Sequence, residues 1–438
     1  MDWKKIYEER KCSAGEAVKL VKSGNRVVFA HAVAEPLVLV EALIANKEAY
    51  RNVTISHMVT LGKGEYSLPE NKEHFTYEGW FTSPSTRKSL EEGHGEFVPV
   101  FFHEVPEMIR RDIFHVDVLF VTVAPPDENG KCCIGVSADY TMQAAKSADV
   151  ILAEVNDQVP YVYGDCFIDV EEIDAFVETS HPLFELKPSK IGPTEEAIGK
   201  NCARLIEDGA TLQLGIGAIP DAVLAQLGDK KHLGIHSEMF SDGVVDLYEK
   251  GVFDCSQKSL HKGKMIVTFL MGTKKLYDFV DHNPMVEMMP VDYVNHPEII
   301  AKNSNMVCIN ACVQVDFMGQ IVSECIGPKQ ISGVGGQVDF VRGAAMTHDG
   351  KGKAIIAMPS VTVKKDGSMV SKIVPYIDHG AAVTTSRCDA DYVVTEYGVA
   401  CMKGRTLHDR ARQLIDIAHP DFREELKAQF KERFKIDY

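Results

Sequence analysis

Hydrophobic and polar positions along this chain form two patterns, short apolar runs that predict strands and longer amphipathic segments that predict helices. The short apolar runs have no polar residue at their centre, and the clearest of them spans residues 117–123. A further strand is predicted at residues 382–385. Helical segments, such as residues 37–44 and 221–227, separate the strands. Continuous apolar runs are typical of strands that are covered on both faces, as in parallel sheets. The alternation of strands and helices predicts an α/β fold with largely parallel sheets.

Capping residues and glycines set the predicted helix limits. Ser13 and Glu16 have the spacing of a capping box at the start of one helix, and Gly24 follows its end. Thr194, which follows a proline, is the predicted N-cap of a later helix that ends at Gly209.

The pattern of the first half returns in the second half. Residues 18–24 (VKLVKSG) match residues 203–209 (ARLIEDG), and each is followed by a strand, a turn, a proline and a helix. Late in each half, residues 148–154 (ADVILAE) are echoed by residues 390–396 (ADYVVTE). We therefore predict an internal duplication that gives two similar open α/β domains. The predicted domains are residues 1–190 and residues 191–438.

A glycine-rich turn and an acidic residue lie close together in the second half. Residues 211–214 predict a strand that leads into Gly215 and Gly217, and residues 234–239 predict a short strand with Glu238 near its end. Because the carboxyl ends of parallel strands meet at one edge of a sheet, we expect the turn and Glu238 to lie there together. Glycines let backbone N–H groups approach a ligand, and a helix N-terminus favours negative charge.

Each of these features has more than one interpretation. The turn is a dinucleotide fingerprint in which Pro220 replaces the third glycine, a cradle for a phosphate or an oxyanion, or a tight structural turn. Glu238 is either a solvated or ion-paired acid or a catalytic one, and the matching residues 55–58 of the first half hold no acid. Residues 333–336 (GVGG) form either an anion-binding nest or a hairpin turn. Several histidines are candidates for acid–base work or for the core, namely His31, His57, His236 and His379.

Composition and charge exclude several classes of function. The chain has 438 residues, 45% of them hydrophobic, and a formal net charge of −16, which argues against a nucleic-acid surface. No apolar run approaches the roughly 20 residues of a membrane span, and no apolar segment follows the N-terminal MDWKK as in a signal peptide. The 11 cysteines lack Cys-x-x-Cys spacing. We expect a cytoplasmic protein with reduced thiols and no metal site.

Four motifs, in this order, resemble the acetyl-CoA hydrolase/transferase family of coenzyme A (CoA) transferases, and the likeness covers essentially the whole chain. They are residues 215–220 (GIGAIP), 236–243 (HSEMFSDG), 333–340 (GVGGQVDF), and 396–400 (EYGVA) with 418–423 (AHPDFR). The resemblance implies two similar α/β domains and a homo-oligomer. It also implies small-molecule substrates, acyl-CoA and a short-chain carboxylate, with no permanently bound cofactor and no metal.

The resemblance also implies roles for individual residues. Glu238 aligns with the glutamate that becomes acylated, and Lys403 is a candidate contact for the CoA phosphates. The residues expected to line the CoA site and the oxyanion hole are Gly215, Ile216, Gly217, Ala218, Ile219, Val313, Gly335 and Gly336. No motif identifies the residues that select the acyl group, which are expected in the first half near His31 and His57.

A family member of this kind moves CoA between a short-chain acyl-CoA, such as acetyl-CoA, and a carboxylate such as 4-hydroxybutyrate or butyrate. A carboxylate nucleophile suits this exchange, because it can carry first the acyl group and then CoA in a ping-pong reaction. The alternatives are an acyl-CoA hydrolase on the same scaffold, a nicotinamide oxidoreductase that uses the glycine turn, and a module without catalysis that binds CoA or senses a sugar phosphate.

Overall fold

The computed structural model describes residues 2–438, which form two compact units. The first unit comprises the chain up to Leu186 together with Ile266–Val294 and Gln330–Gly335. The second unit comprises Lys187–Met265, Asn295–Lys329 and Gly336–Tyr438. Two segments from the second half of the chain therefore pack within the first unit. The predicted family-domain boundary at residue 190 stays a prediction.

Short strands supply the sheets of both units. The strands of the first half are β1 (Arg26–Phe29), β2 (Val53–His57), β3 (Phe75–Gly79), β4 (Gly95–Phe97), β5 (Val118–Val123), β6 (Lys131–Cys133), β7 (Val150–Asn156), β8 (Tyr163–Gly164), β9 (Phe167–Asp169) and β10 (Ala175–Thr179). The later strands are β11 (Thr211–Leu214), β12 (Gly234–Ile235), β13 (Met265–Val267), β14 (Val286–Met288), β15 (Met306–Ala311), β16 (Gln314–Asp316), β17 (Ile321–Val322), β18 (Cys325–Ile326), β19 (Lys329–Gln330), β20 (Lys353–Ala357), β21 (Val361–Val363), β22 (Met369–Ser371), β23 (Ile373–Val374), β24 (Tyr392–Thr395) and β25 (Gly398–Cys401).

Helices connect most of the long strands. They are α1 (Trp3–Arg10), α2 (Ala14–Ala17), α3 (Leu37–Ala45), α4 (Arg87–Glu91), α5 (Val105–Arg110), α6 (Thr141–Ser147), α7 (Pro193–Ala203), α8 (Ala218–Ala225), α9 (Asp242–Glu249), α10 (Lys274–Val280), α11 (Val291–Val294), α12 (Pro297–Ile300), α13 (Gln337–Ala345), α14 (Leu407–Asp416) and α15 (Pro420–Phe434). Across residues 2–438, no helix is both long enough and apolar enough to cross a membrane.

The first unit is built on a parallel sheet with the strand order β10-β7-β5-β1-β2-β3-β4. Neighbouring strands in this sheet all run parallel. The continuous apolar run predicted at residues 117–123 forms β5, every residue of which is buried. Strand and helix side chains, including Phe29, Phe120 and Leu152, make the core of this unit.

The second unit repeats this topology. Its main sheet has the order β12-β11-β15-β20-β24-β25, and its strands run parallel except for β25, which is antiparallel to β24. Strands β12-β11-β15-β20-β24 therefore take the same places as β2-β1-β5-β7-β10. The shared order confirms the predicted pair of similar, largely parallel α/β domains.

One of the two sequence echoes does not follow this correspondence. Residues 148–154 contribute most of β7, whose structural counterpart is β20, whereas residues 390–396 contain β24, the counterpart of β10. The similarity between residues 148–154 and residues 390–396 is thus one between buried strands that each follow an Ala-Asp pair. The two strands do not occupy equivalent positions in the two sheets.

Several predicted boundaries are confirmed and others are wrong. The capping box is present, with the Ser13 N–H donating to Glu16 Oε2 (3.0 Å). The predicted N-cap at Thr194 is wrong, because α7 begins at Pro193, whose missing N–H suits a first helical position. This helix ends at Ala203, well before Gly209, which lies in the turn before β11 with φ of +75°.

The strand predicted at residues 382–385 does not form. Only Thr385 makes a bridge, with Ile321, while the Ala382 N–H donates to the Cys325 thiol. Ala382 and Val383 are exposed and pair with no strand, whereas Thr384 and Thr385 are buried and both donate from their N–H groups to the Ile321 carbonyl. A single bridge of this kind does not extend into a ladder.

Candidate active site

The glycine turn after β11 leads directly into α8. This helix begins at Ala218, three residues earlier than predicted, with Gly217 as its N-cap. Gly217 has φ of +114° and ψ of −178°, a conformation that residues with a Cβ atom rarely adopt. The space around Gly215 and Gly217 is open, because an added Cβ at either would meet no atom within 4 Å. The first N–H groups of a helix have no partner within it, so this turn can present donors to an anion or an oxyanion.

Glu238 lies at the same edge of the sheet as the turn. Strands β11 and β12 are parallel neighbours, with Leu212 opposite Ile235, and Glu238 follows the end of β12. The Ser237 hydroxyl donates to the Leu214 carbonyl (3.3 Å). These contacts hold the segment that carries Glu238 beside the carboxyl end of β11.

Asn295 holds the carboxylate of Glu238. Its Nδ2 donates to Glu238 Oε2 at 2.8 Å, and its side chain is fully buried. Asn295 directly follows α11, and its Oδ1 has no hydrogen-bond partner among the described atoms. A buried amide in this position fixes the direction in which a half-buried carboxylate points.

Gly336 leaves the room that this hydrogen bond needs. A Cβ atom added at Gly336 would lie 2.0 Å from Glu238 Oε2 and 2.3 Å from Asn295 Nδ2. Any larger residue would have to displace one of the two groups. The geometry thus gives Gly336 a role beside Glu238 in addition to the CoA contact predicted from the family.

Gly335 belongs to the first unit, and its backbone conformation differs from that of Gly336. Its φ is +54°, in the left-handed region, and its carbonyl accepts a hydrogen bond from the Phe102 N–H (3.2 Å). An added Cβ would lie 3.5 Å from Phe81 Cε2, an ordinary contact. Backbone conformation rather than crowding therefore favours glycine here.

Val313 and Lys403 lie at opposite edges of the main sheet in the second unit. Val313 follows β15, the parallel neighbour of β11, at the edge that carries the glycine turn. Lys403 is exposed and follows β25, which runs antiparallel, so it lies at the edge where the parallel strands begin. The structure does not bring Lys403 together with Glu238, and its contact with CoA phosphates stays a prediction.

The sequence interpretation missed polar residues at this edge. Asn310 Nδ2 donates to Gln213 Oε1 (3.1 Å), which links the carboxyl ends of β15 and β11. The buried Lys258 donates to the Ile235 carbonyl (2.7 Å) at the end of β12. A glutamine inside the apolar run of β11 was a signal that could have identified Gln213. Asn295 lies in no motif and had no such signal.

Two of the candidate histidines lie within the first unit. His57 is buried and bonds through Nε2 to the Tyr66 hydroxyl (2.6 Å), and burial lowers its pKa to about 3. A neutral core histidine is therefore the better interpretation of His57. His31 is also buried, and its Nδ1 lies 2.8 Å from Asp139 Oδ2.

Two family profiles match this chain. The acetyl-CoA hydrolase/transferase N-terminal domain matches residues 1–184, and the C-terminal domain of the same name matches residues 272–430. The 4-hydroxybutyrate coenzyme A transferase of Clostridium kluyveri is 57% identical over 434 residues, which are 99% of this chain and 100% of that relative. The butyryl-CoA:acetate CoA-transferase of Anaerostipes caccae is 37% identical over 97% of both chains.

A solved structure shows the same fold. The 4-hydroxybutyrate CoA-transferase from Porphyromonas gingivalis aligns with a TM-score of 0.85 and 42% identity, over 99% of this chain and 100% of that one. An acetyl-CoA hydrolase of Yarrowia lipolytica is more distant, with 27% identity over 72% of this chain and 65% of the hydrolase. The two full-length relatives and the solved structure described above are thus named for CoA transfer.

Proposed function

The chain belongs to the acetyl-CoA hydrolase/transferase family, and we propose that it moves CoA between acetyl-CoA or another short-chain acyl-CoA and a carboxylate, 4-hydroxybutyrate or butyrate. It is a CoA-transferase, because its full-length relatives at 57% and 37% identity carry that name. Acyl-CoA and the acids are substrates, and the reaction we propose uses no permanently bound cofactor.

The proposed reaction proceeds through Glu238. Its carboxylate attacks the acyl-CoA carbonyl, which gives a mixed anhydride and the CoA thiolate. The thiolate then attacks the glutamyl carbonyl, which releases the first acid and leaves a glutamyl-CoA thioester. The acceptor carboxylate reverses the two steps. One thioester is broken for each one formed, so the exchange needs no ATP.

The hydrogen bond between Asn295 and Glu238 is the observation that carries this proposal. It holds the carboxylate in one orientation at the sheet edge where α/β proteins bind ligands. Each tetrahedral intermediate also needs donors for its oxyanion. The N–H groups between Gly215 and Ile219, at the start of α8, are the candidates for this role.

Intact-mass spectrometry after incubation with acetyl-CoA, followed by peptide mapping, tests the proposed intermediate. We expect a CoA adduct on Glu238 that hydroxylamine removes and borohydride reduces. The Glu238→Gln variant should lose the adduct and several orders of magnitude in exchange rate, while Glu249→Gln, an exposed control on α9, keeps both. An adduct on a cysteine, or normal exchange by Glu238→Gln, would contradict the assignment.

Acceptor dependence separates the transferase from a hydrolase on the same scaffold. Loss of acetyl-CoA should be slow in buffer and fast when 4-hydroxybutyrate or butyrate is added, with ping-pong kinetics. A rate that does not depend on the added acid would instead identify the hydrolase. A panel of short-chain and hydroxy acids in the same assay ranks the acceptors.

A further inference from the structure

A second cluster of polar side chains lies in the first unit, at the edge where the parallel strands begin. Asp117 immediately precedes β5 and Asp149 immediately precedes β7, and these two strands are neighbours. The Val150 N–H donates to the Asp117 carbonyl (3.1 Å), and the Asp149 N–H donates to the Val116 carbonyl (3.2 Å). The sheet itself therefore fixes the backbones that carry both carboxylates.

His115 completes the cluster from the loop between α5 and β5. Its Nε2 lies 3.4 Å from Asp149 Oδ2 and 3.7 Å from Asp117 Oδ1. All three candidate donor atoms lie within 4.8 Å of one another. An ion with tetrahedral bonds of about 2.0–2.1 Å separates its donor atoms by about 3.3 Å. The two histidine–carboxylate distances are close to this value, and the two carboxylates, whose donor atoms lie within 4.8 Å, would approach each other by up to about 1.5 Å on binding an ion.

Supporting contacts orient two of the three donors. Asp112 Oδ1 lies 2.7 Å from His115 Nδ1, so Nδ1–H donates to Asp112, and Nε2, which faces the other two carboxylates, is the nitrogen that would lose its proton and bind an ion. The backbone N–H of Arg26 donates to Asp117 Oδ2 (2.6 Å), so Oδ1 of the same carboxylate is turned toward the histidine. A carboxylate behind a ligating histidine, and a hydrogen bond behind a ligating carboxylate, are common around protein-bound metals.

We propose that His115, Asp117 and Asp149 form a binding site for a divalent transition-metal ion of the zinc type. The imidazole favours zinc-like ions over Mg²⁺ and Ca²⁺, which prefer all-oxygen sites. The side chains of His115 and Asp149 are 50% and 66% exposed, so an ion can enter from solvent and water can complete its coordination. A bound ion would join the α5–β5 loop to the start of β7 and would stabilise this edge of the sheet.

Zinc titration of the metal-stripped, full-length enzyme by calorimetry tests the site. The wild-type enzyme should bind one more equivalent of zinc than the His115→Ala variant does. The Asp149→Asn variant, which removes another exposed ligand, should lose the same equivalent. Asp112→Asn should weaken this equivalent about tenfold to a hundredfold, because it loses the carboxylate that orients the histidine. Mg²⁺ should give no saturable binding at the site.

His232→Ala is the matched control. His232 Nδ1 lies 2.8 Å from Asp254 Oδ2, and its side chain is 51% exposed, but among residues 2–438 this pair belongs to no three-donor cluster. The His232→Ala control should bind as many equivalents of zinc as wild type. Zinc should raise the thermal unfolding midpoint of wild type and of His232→Ala, and it should leave the midpoint of His115→Ala unchanged. Equal zinc stoichiometry and affinity in wild type and His115→Ala would overturn the proposal.

Discussion

At the scale of single residues, Glu238 is held by neighbours that are distant in the sequence, and one of them, Asn295, lies in no motif. Asn295 donates to its carboxylate from a position 57 residues away in the sequence, and Gly336 provides the space for both groups. His57 illustrates the opposite case, a residue type associated with catalysis that is buried and neutral in the core of the first unit. Chemistry at this scale is decided by what surrounds a side chain.

Removal of the Asn295 donor should slow catalysis without preventing folding. A hydrogen bond to a charged group is worth about 1.5–3 kcal/mol, so Asn295→Ala should lower kcat about tenfold to a hundredfold. Steady-state kinetics and thermal unfolding of the same preparations check this expectation. Asn303→Ala removes another buried asparagine of the second unit and should lower stability with kcat unchanged. If both variants keep the wild-type kcat, Asn295 does not position the nucleophile.

Gly336→Ala distinguishes a role beside Glu238 from a contact with the CoA chain. The added methyl group would overlap Glu238 Oε2, so kcat should fall by at least tenfold while KM for acyl-CoA changes little. Gly228→Ala, where an added Cβ meets no atom within 4 Å, is the control and should behave like wild type. A raised KM with an unchanged kcat would instead favour the CoA contact.

His57 should make stability depend on pH. It is neutral in the folded protein, with a pKa near 3, while an unfolded chain restores the ordinary value of 6.5. The unfolded state therefore binds the extra proton between these values, and the free energy of unfolding falls as the pH is lowered through this window. At pH 5 the loss from this residue is about 2 kcal/mol relative to pH 8.

Urea denaturation at pH 8 and pH 5 measures this contribution. His57→Gln has no titrating ring, so its stability should fall by less than that of wild type over the same interval. His379→Gln removes an exposed histidine and should keep the full wild-type dependence. Equal pH dependence in wild type and His57→Gln would contradict the assignment of a neutral buried ring.

At the scale of elements, the turn between β11 and α8 combines two kinds of glycine. Gly217 needs a positive φ, whereas Gly215 has neither a positive φ nor close neighbours. The turn also starts α8 three residues earlier than the sequence pattern predicted, which brings the free N–H groups of the helix next to the glycines. An element boundary thus changes which backbone groups are available for chemistry.

Alanine at these two positions should have unequal effects. Gly217→Ala forces a strained backbone or a shifted helix start, with a cost of about 1–3 kcal/mol, and should reduce exchange activity more than stability. Gly215→Ala should be tolerated in folding. Denaturant unfolding and kcat for both variants test the contrast. A loss of stability alone in Gly217→Ala would support a purely structural turn.

At the scale of the whole molecule, the two units share one strand order and differ in the residues at the ends of equivalent strands. The acid follows β12 in the second unit, while its counterpart β2 ends at His57, which lies in the core. Divergence of one copy is a simple route to a single site in a duplicated chain. The homo-oligomer implied by the family stays a prediction, and light scattering of the purified enzyme measures its mass.

The amino-acid sequence by itself determined the α/β class, the duplication, the family and the candidate nucleophile. These properties rest on local patterns, because apolar periodicity marks strands and helices wherever they lie, and the order of four motifs identifies the family. The position of Glu238 just after a short strand, near a glycine turn, is also a local property.

The tertiary structure alone decided the contacts between distant segments. Asn295 and Gly336 meet Glu238 because their chain segments converge there, and Lys403 lies at the other edge because β25 runs antiparallel. His115 and Asp149 approach each other because β5 and β7 are neighbours in the sheet. Strand order and direction set which residues become neighbours, and both are properties of the folded sheet that local sequence patterns do not carry.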